Sequence, residues 1–118
     1  MTAPPPFDLG KDENGDQIEP VFATRDEFWE QYLSQMFLQQ NDAEGGWCPK
    51  WRLHFGAAYS VTALWSAWEL ADISDAGAMA TYLAHQQNPI MRELMDGGTF
   101  LGCTPSKHRD DMTQPLPT

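Results

Sequence analysis

Two short segments combine the residue types that bind zinc. Cys48 is followed directly by a proline and then, six positions after the cysteine, by His54. Cys103 is followed by a proline two positions on, and by His108 five positions after the cysteine. Structural zinc sites take four ligands and favour thiolate and imidazole, and a turn at each proline lets each histidine fold back. We therefore expect Cys48, His54, Cys103 and His108 to bind one structural zinc ion.

The same residues admit two other interpretations. The spacings are longer than the Cys-x2-Cys of strong zinc signatures, so two buried thiols beside ordinary histidines fit equally well. A cysteine nucleophile beside a histidine would instead make a small enzyme centred on Cys48 or Cys103. A catalytic zinc needs an open coordination position, which four protein ligands would remove. His-Glu-x-x-His, a glycine-rich phosphate loop and Gly-x-Ser-x-Gly are all missing from the sequence, so we expect no enzymatic activity.

Size and charge limit the classes of function. The 118 residues suffice for one hydrophobic core, and the formal net charge is -10, with only 7 Lys and Arg. Binding to nucleic acid or to an anionic membrane needs clustered basic residues, so we expect neither. No apolar run approaches the roughly 20 residues that cross a bilayer, and the first ten residues lack the features of a secretory signal. We expect a cytoplasmic protein whose cysteines stay reduced or bind metal.

Composition divides the chain into a folded part and two tails. Residues 1–20 contain three consecutive prolines and a polar, turn-rich stretch with little to bury. The acidic residues at 12–16 lack the order and the bidentate glutamate of a calcium loop. Residues 109–118 carry two prolines that oppose regular structure. We expect flexible acidic tails over 1–20 and 109–118, and a single helical domain over 21–108.

Helical periodicity accounts for most of the folded part. Thr24 and Glu27 form a capping box, which predicts a first helix from Thr24 to about residue 39. A central helix is predicted from about 55 to 71, because its apolar residues recur at intervals of three and four. Asp75 is expected to cap a third helix that continues to about residue 87.

The chain is then expected to restart in a short fourth helix. Asn88 would be its N-cap and Pro89 its first residue, and the glycines after Asp96 would end it. The sequence shows no convincing strand alternation. We therefore expect an all-α fold, a small bundle of three to four helices with flexible acidic termini. A structural zinc could close the ends of its core, which is a role suited to a small domain.

Three residues of the central helix have distinct expected roles. Trp65 and Trp68 are expected in the interior, packed against the first helix. Glu69 lies directly beside Trp68 in the sequence. We expect it to be a surface residue or a partner of Arg52 or Arg92, with a catalytic acid as the alternative.

Three motifs stand in order along the folded part: Trp47-Cys48-Pro49-x-Trp51-x-x-His54, Ala63-Leu64-Trp65-x-Ala67-Trp68-Glu69 and Phe100-x-Gly102-Cys103-x-Pro105-x-x-His108. As a set they resemble an actinobacterial family, domain of unknown function 4913, over residues 27–108. The family often has a Trp and a Pro where this chain has Arg52 and Phe55. Its members occur on phages, plasmids and integrated elements, so the resemblance implies a mobile-element origin and assigns no activity.

These features favour a non-enzymatic, protein-binding accessory protein of a phage or mobile element. Its acidic charge would allow it to mimic a nucleic-acid backbone, and so to inhibit or modulate a host nucleic-acid-handling or defence complex. The expected partner is a protein, with no direct nucleic-acid binding and no membrane. The alternative is a small zinc- or cysteine-dependent enzyme of unknown substrate.

Overall fold

A computed structural model of the chain describes residues 5–37 and 47–96. Three helices make up most of this part, and its only extended pairing is an isolated antiparallel bridge between Lys11 and Gln17. The expected helical class is therefore confirmed for the described residues. None of their helices is both long and apolar enough to cross a bilayer.

The first helix, α1, consists of three consecutive pieces: Arg25–Phe28, the π-helical stretch Trp29–Leu33, and Ser34–Phe37. It begins where the capping box predicts, because the Thr24 hydroxyl accepts a hydrogen bond from the Glu27 backbone N–H at 3.1 Å. The expected end near residue 39 lies outside the described residues.

The central helix, α2, runs over Phe55–Asp72, close to the predicted limits. Its buried residues are Ala57, Val61, Leu64, Trp65, Glu69 and Ala71. All but the last recur at intervals of three and four. Trp65 is buried, as predicted. Trp68 is only half-buried, and its ring packs against α1 with centroid distances of 6.3 Å to Phe28 and 5.6 Å to Tyr32.

The third helix, α3, also has three consecutive pieces: Ala76–Tyr82, the π-helical stretch Leu83–Gln87, and Asn88–Asp96. Asp75 caps it as predicted, since its carboxylate accepts hydrogen bonds from two backbone N–H groups in the first turn at 3.0 Å each.

The predicted break at Asn88 and Pro89 is wrong, because α3 continues through both residues. Asn88 has helical dihedral angles, φ -67° and ψ -45°, and donates its N–H to the Leu83 carbonyl, five residues earlier. Proline lacks an N–H, and its ring clashes with the carbonyl four residues before it in a regular α-helix. The wider π-helical turn that precedes Pro89 relieves this conflict.

Residues 5–20, which we expect to belong to a flexible tail, make defined contacts in the structure. The Phe7 ring meets the Trp65 ring edge-on, with centroids 4.6 Å apart. The chain after it folds into a turn closed by a hydrogen bond from the Ile18 N–H to the Gly10 carbonyl at 2.9 Å. The Asp12 carboxylate supports the turn by accepting hydrogen bonds from the backbone N–H groups of Asn14 and Asp16. We call residues 5–20 the N-terminal strap.

Candidate functional site

Residues 47–54, here called the arm, form a compact turn that enters α2. A short 3₁₀ helix, Trp51–Leu53, reverses the chain, and the His54 N–H donates to the Trp51 carbonyl at 3.0 Å. Trp47, Cys48, Trp51 and His54 are all buried. The arm therefore directs its aromatic and metal-type side chains into the protein.

Stacked indoles hold the arm against α1. The rings of Trp29 and Trp47 lie parallel within 14°, with centroids 4.4 Å apart, and Trp51 tilts against Trp29 at 5.4 Å. Aromatic pairs of this kind contribute about 0.5–1.5 kcal/mol each beyond the area that they bury. The π-helical stretch of α1 contributes Trp29 to this contact, so α1 positions the arm.

Two arginines cover the Trp51 ring. The guanidinium carbons of Arg52 and Arg25 lie 4.5 Å and 5.2 Å from its centroid. Asp26 joins the two, accepting from Arg52 Nε at 2.8 Å and lying 3.7 Å from Arg25 Nε. These ion pairs are partly exposed and individually weak, so their effect is mainly to orient the arginines over the ring.

The structure places two of the four predicted zinc ligands at opposite ends of the 3₁₀ turn. Cys48 is fully buried, and its sulfur accepts the Lys50 N–H at 3.4 Å, an interaction that stabilises negative charge on sulfur. His54 is buried at the other end of the turn. Cys103 and His108 lie outside the described residues. Within 5–37 and 47–96, no group of three His, Cys, Asp or Glu residues is placed to hold a metal ion.

The burial of Cys48 also bears on the enzyme alternative. A catalytic thiol must reach its substrate, and reactive cysteines are partly exposed. Cys48 has no exposed surface. Burial of this kind is typical of a structural cysteine or a metal ligand.

The expectation for Glu69 was wrong. Its side chain is only 1% exposed, and its partners are the backbone N–H groups of Val21 and Phe22, at 2.7 Å and 2.8 Å from its two carboxylate oxygens. Arg52 pairs with Asp26 instead. A buried carboxylate needs strong hydrogen bonds to offset its desolvation, and two backbone N–H groups supply them. Glu69 is therefore a structural anchor for the chain entering α1, and its position four residues after the buried Trp65 was the available signal.

Further buried polar side chains lie where the two π-helical stretches contribute residues to the core. Gln87 is fully buried and Tyr82 nearly so, and neither the Gln87 amide nor the Tyr82 hydroxyl completes a hydrogen bond. Burial raises the pKa of Tyr32, while the nearby polar groups of Gln87 and Trp68 partly oppose the rise. Burial, and then the proximity of Tyr32, raise the pKa of Tyr82. An unsatisfied buried hydroxyl costs about 1–3 kcal/mol, so the Tyr82 hydroxyl lowers stability.

An apolar patch lies on the protein surface where the arm joins α2. Leu53, Phe55 and Tyr59 expose 59%, 54% and 66% of their surface, and the rings of Phe55 and Tyr59 lie 5.8 Å apart. We call these three residues the 53–59 patch. Helical periodicity does not indicate that these three residues are exposed, because the side of α2 that is covered near its start depends on where the arm packs.

Comparison with known proteins gives one match. The sequence pattern of the family described as Domain of unknown function (DUF4913) matches residues 22–118, so the chain belongs to that family. The match begins at Phe22, the second of the two residues held by Glu69, and the N-terminal strap precedes it. Neither the curated proteins nor the solved structures gave a match.

Proposed function

We propose that this DUF4913 protein is a non-enzymatic, protein-binding accessory protein of a phage or other mobile element, acting in the cytoplasm of a bacterial host. The observation that carries the proposal is the 53–59 patch. Three large side chains each expose more than half of their surface there: Leu53 ends the 3₁₀ turn, and Phe55 and Tyr59 lie in the first two turns of α2. Clustered exposed apolar side chains, aromatic ones above all, are typical of protein-binding surfaces.

The kind of partner follows from charge. The chain carries 17 Asp and Glu against 7 Lys and Arg, and a protein of this charge associates fastest with a basic surface. Proteins that handle nucleic acids present such surfaces. The proposed role is therefore inhibition or modulation of a host nucleic-acid-handling or defence complex, through contact with its protein component and not with nucleic acid.

The arm supports a second part of the proposal: Cys48, His54, Cys103 and His108 bind one structural zinc ion. The donor set of two thiolates and two imidazoles suits zinc, and the fully buried Cys48 already accepts a backbone N–H. Such an ion would stabilise the fold and would supply no catalytic step, because four protein ligands complete its coordination. A zinc-bound arm would hold the 53–59 patch in place at its end.

The binding proposal is tested with two matched double variants. Phe55→Ser with Tyr59→Ser removes the patch, and Leu70→Ser with Ile73→Ser removes two exposed apolar side chains at the opposite end of α2. Circular dichroism first checks that each variant keeps the fold. The parent and both variants are then used to capture partners from a lysate of the bacterial host. A partner identified by mass spectrometry is then purified and titrated.

The patch variant is expected to bind that partner about tenfold more weakly or worse, and the control variant to bind like the parent. Equal affinity of the parent and the patch variant would show that the 53–59 patch is not the binding surface. Catalytic turnover of any substrate by the purified parent would overturn the non-enzymatic role.

A further inference from the structure

The N-terminal strap is nearly independent of the helices that it covers. Among the described residues, every hydrogen bond that residues 5–20 make stays within the strap. Gln17 donates to the Asp8 carboxylate at 2.7 Å, and hydrogen bonds from the Gly10 backbone and then from Gln17 lower the pKa of Asp8. The strap is thus a self-contained turn that carries one aromatic side chain, Phe7, at its base.

The strap packs against the core through Phe7. Phe7 lies edge-on to Trp65 at 4.6 Å, and Pro6 lines a cleft of about 270 Å³ next to that ring. The cleft is bounded by Thr24, Arg25, Asp26, Thr62 and Trp65. The surface under the strap therefore accepts a proline followed by an aromatic residue.

The surface itself is fixed without the strap. The Trp65 indole N–H donates to the Phe22 carbonyl at 3.1 Å, and Glu69 holds the Val21 and Phe22 N–H groups. Apart from Val21, which directly precedes it, these residues lie within the family match over residues 22–118, whereas the strap lies before it. Departure of the strap would remove the wall of the cleft that Pro6 forms and would leave the Trp65 ring and the remaining walls in place.

We propose that the strap is a displaceable intramolecular ligand, and that the Trp65 surface beneath it receives an extended segment of a partner protein that presents a proline followed by an aromatic residue. The strap competes with that segment because its tether keeps Phe7 at a high effective concentration, which for a short linker reaches about millimolar. The surface is separate from the 53–59 patch, so this inference does not depend on binding there.

The experiment adds a peptide with the sequence of residues 4–10 to three forms of the full chain: the parent, Phe7→Ala, and the strap control Leu9→Ala. Binding is followed by NMR at the Trp65 indole N–H, and a peptide with Ala in place of Phe is the negative control. The Phe7→Ala protein is expected to bind the peptide about tenfold more tightly than the parent and Leu9→Ala, because its own strap no longer competes. The control peptide is expected to leave the Trp65 signal unchanged.

Two results would overturn the proposal: no binding of the peptide to Phe7→Ala, or equal binding to all three proteins. A measurement on the parent alone provides a second test if Phe7→Ala unfolds. Hydrogen exchange of residues 5–20 is expected to be at least about tenfold faster than that of residues 57–70, because the strap opens locally. Exchange of both segments only through global unfolding would show that the strap is an integral part of the fold.

Discussion

Replacing Glu69 by Gln tests how the chain entering α1 is anchored. The carboxylate accepts two backbone N–H groups in a buried site, at 2.7 Å and 2.8 Å. A glutamine offers one acceptor oxygen, so one N–H keeps a weaker, neutral hydrogen bond and the other faces an amide donor. Hydrogen bonds to a charged group contribute about 1.5–3 kcal/mol each, so we expect a loss of about 2–3 kcal/mol in the free energy of unfolding.

Urea-induced unfolding followed by circular dichroism measures this loss, with Asp72→Asn as the control. Asp72 is exposed and lies on the same helix, so its substitution makes the same change in net charge without touching a buried hydrogen bond. We expect the control to remain within about 0.5 kcal/mol of the parent. If Glu69→Gln were as stable as Asp72→Asn, the carboxylate would not hold Val21 and Phe22 in solution, and the anchoring would be refuted.

Three further predictions follow from the same structure. Trp68→Ala is expected to cost about 2–4 kcal/mol, less than a fully buried Trp would, and a thermal melt indistinguishable from the parent would place this ring outside the core. Burial raises the pKa of Tyr32 and Tyr82, so the unfolded chain loses these protons first. The free energy of unfolding is therefore intact below the ordinary tyrosine pKa and falls as the pH rises above it. Tyr82→Phe should reduce this fall and be neutral or stabilising at pH 7, which urea midpoints at pH 7 and at a pH above the ordinary tyrosine pKa would reveal. No binding to random duplex DNA is expected at physiological salt, and a gel shift with a Kd of about 1 μM or tighter would contradict this.

The helix starts could be predicted from the sequence because capping is local. Thr24 and Asp75 each accept N–H groups within three residues, so the spacing of a few side chains decides where α1 and α3 begin. The burial of Trp65 was predictable for a similar reason, since helical periodicity places it on the apolar stripe of α2.

The features that the sequence does not predict depend on distant contacts or on altered helical geometry. The partners of Glu69 lie 47 and 48 residues away in the sequence, beyond the reach of any periodicity argument. The continuity of α3 through Pro89 depends on a π-helical turn, which a period of 3.6 residues does not reveal. The contact of Phe7 with Trp65 has no signal in the sequence, because a single aromatic residue after a run of prolines gives no periodic pattern.

The metal content of the protein tests most directly the claim that the arm is closed by zinc. The measurement is elemental analysis of protein purified without a histidine tag, together with titration of its thiols in the folded state. We expect about one zinc per chain, and a marked loss when Cys48, His54, Cys103 or His108 is replaced by Ala. The exposed His85, mid-helix in α3, serves as the control, and His85→Ala should retain the metal. Less than roughly a tenth of an equivalent of zinc or another transition metal, with both thiols freely titratable, would contradict the account and leave the arm as a packing element alone.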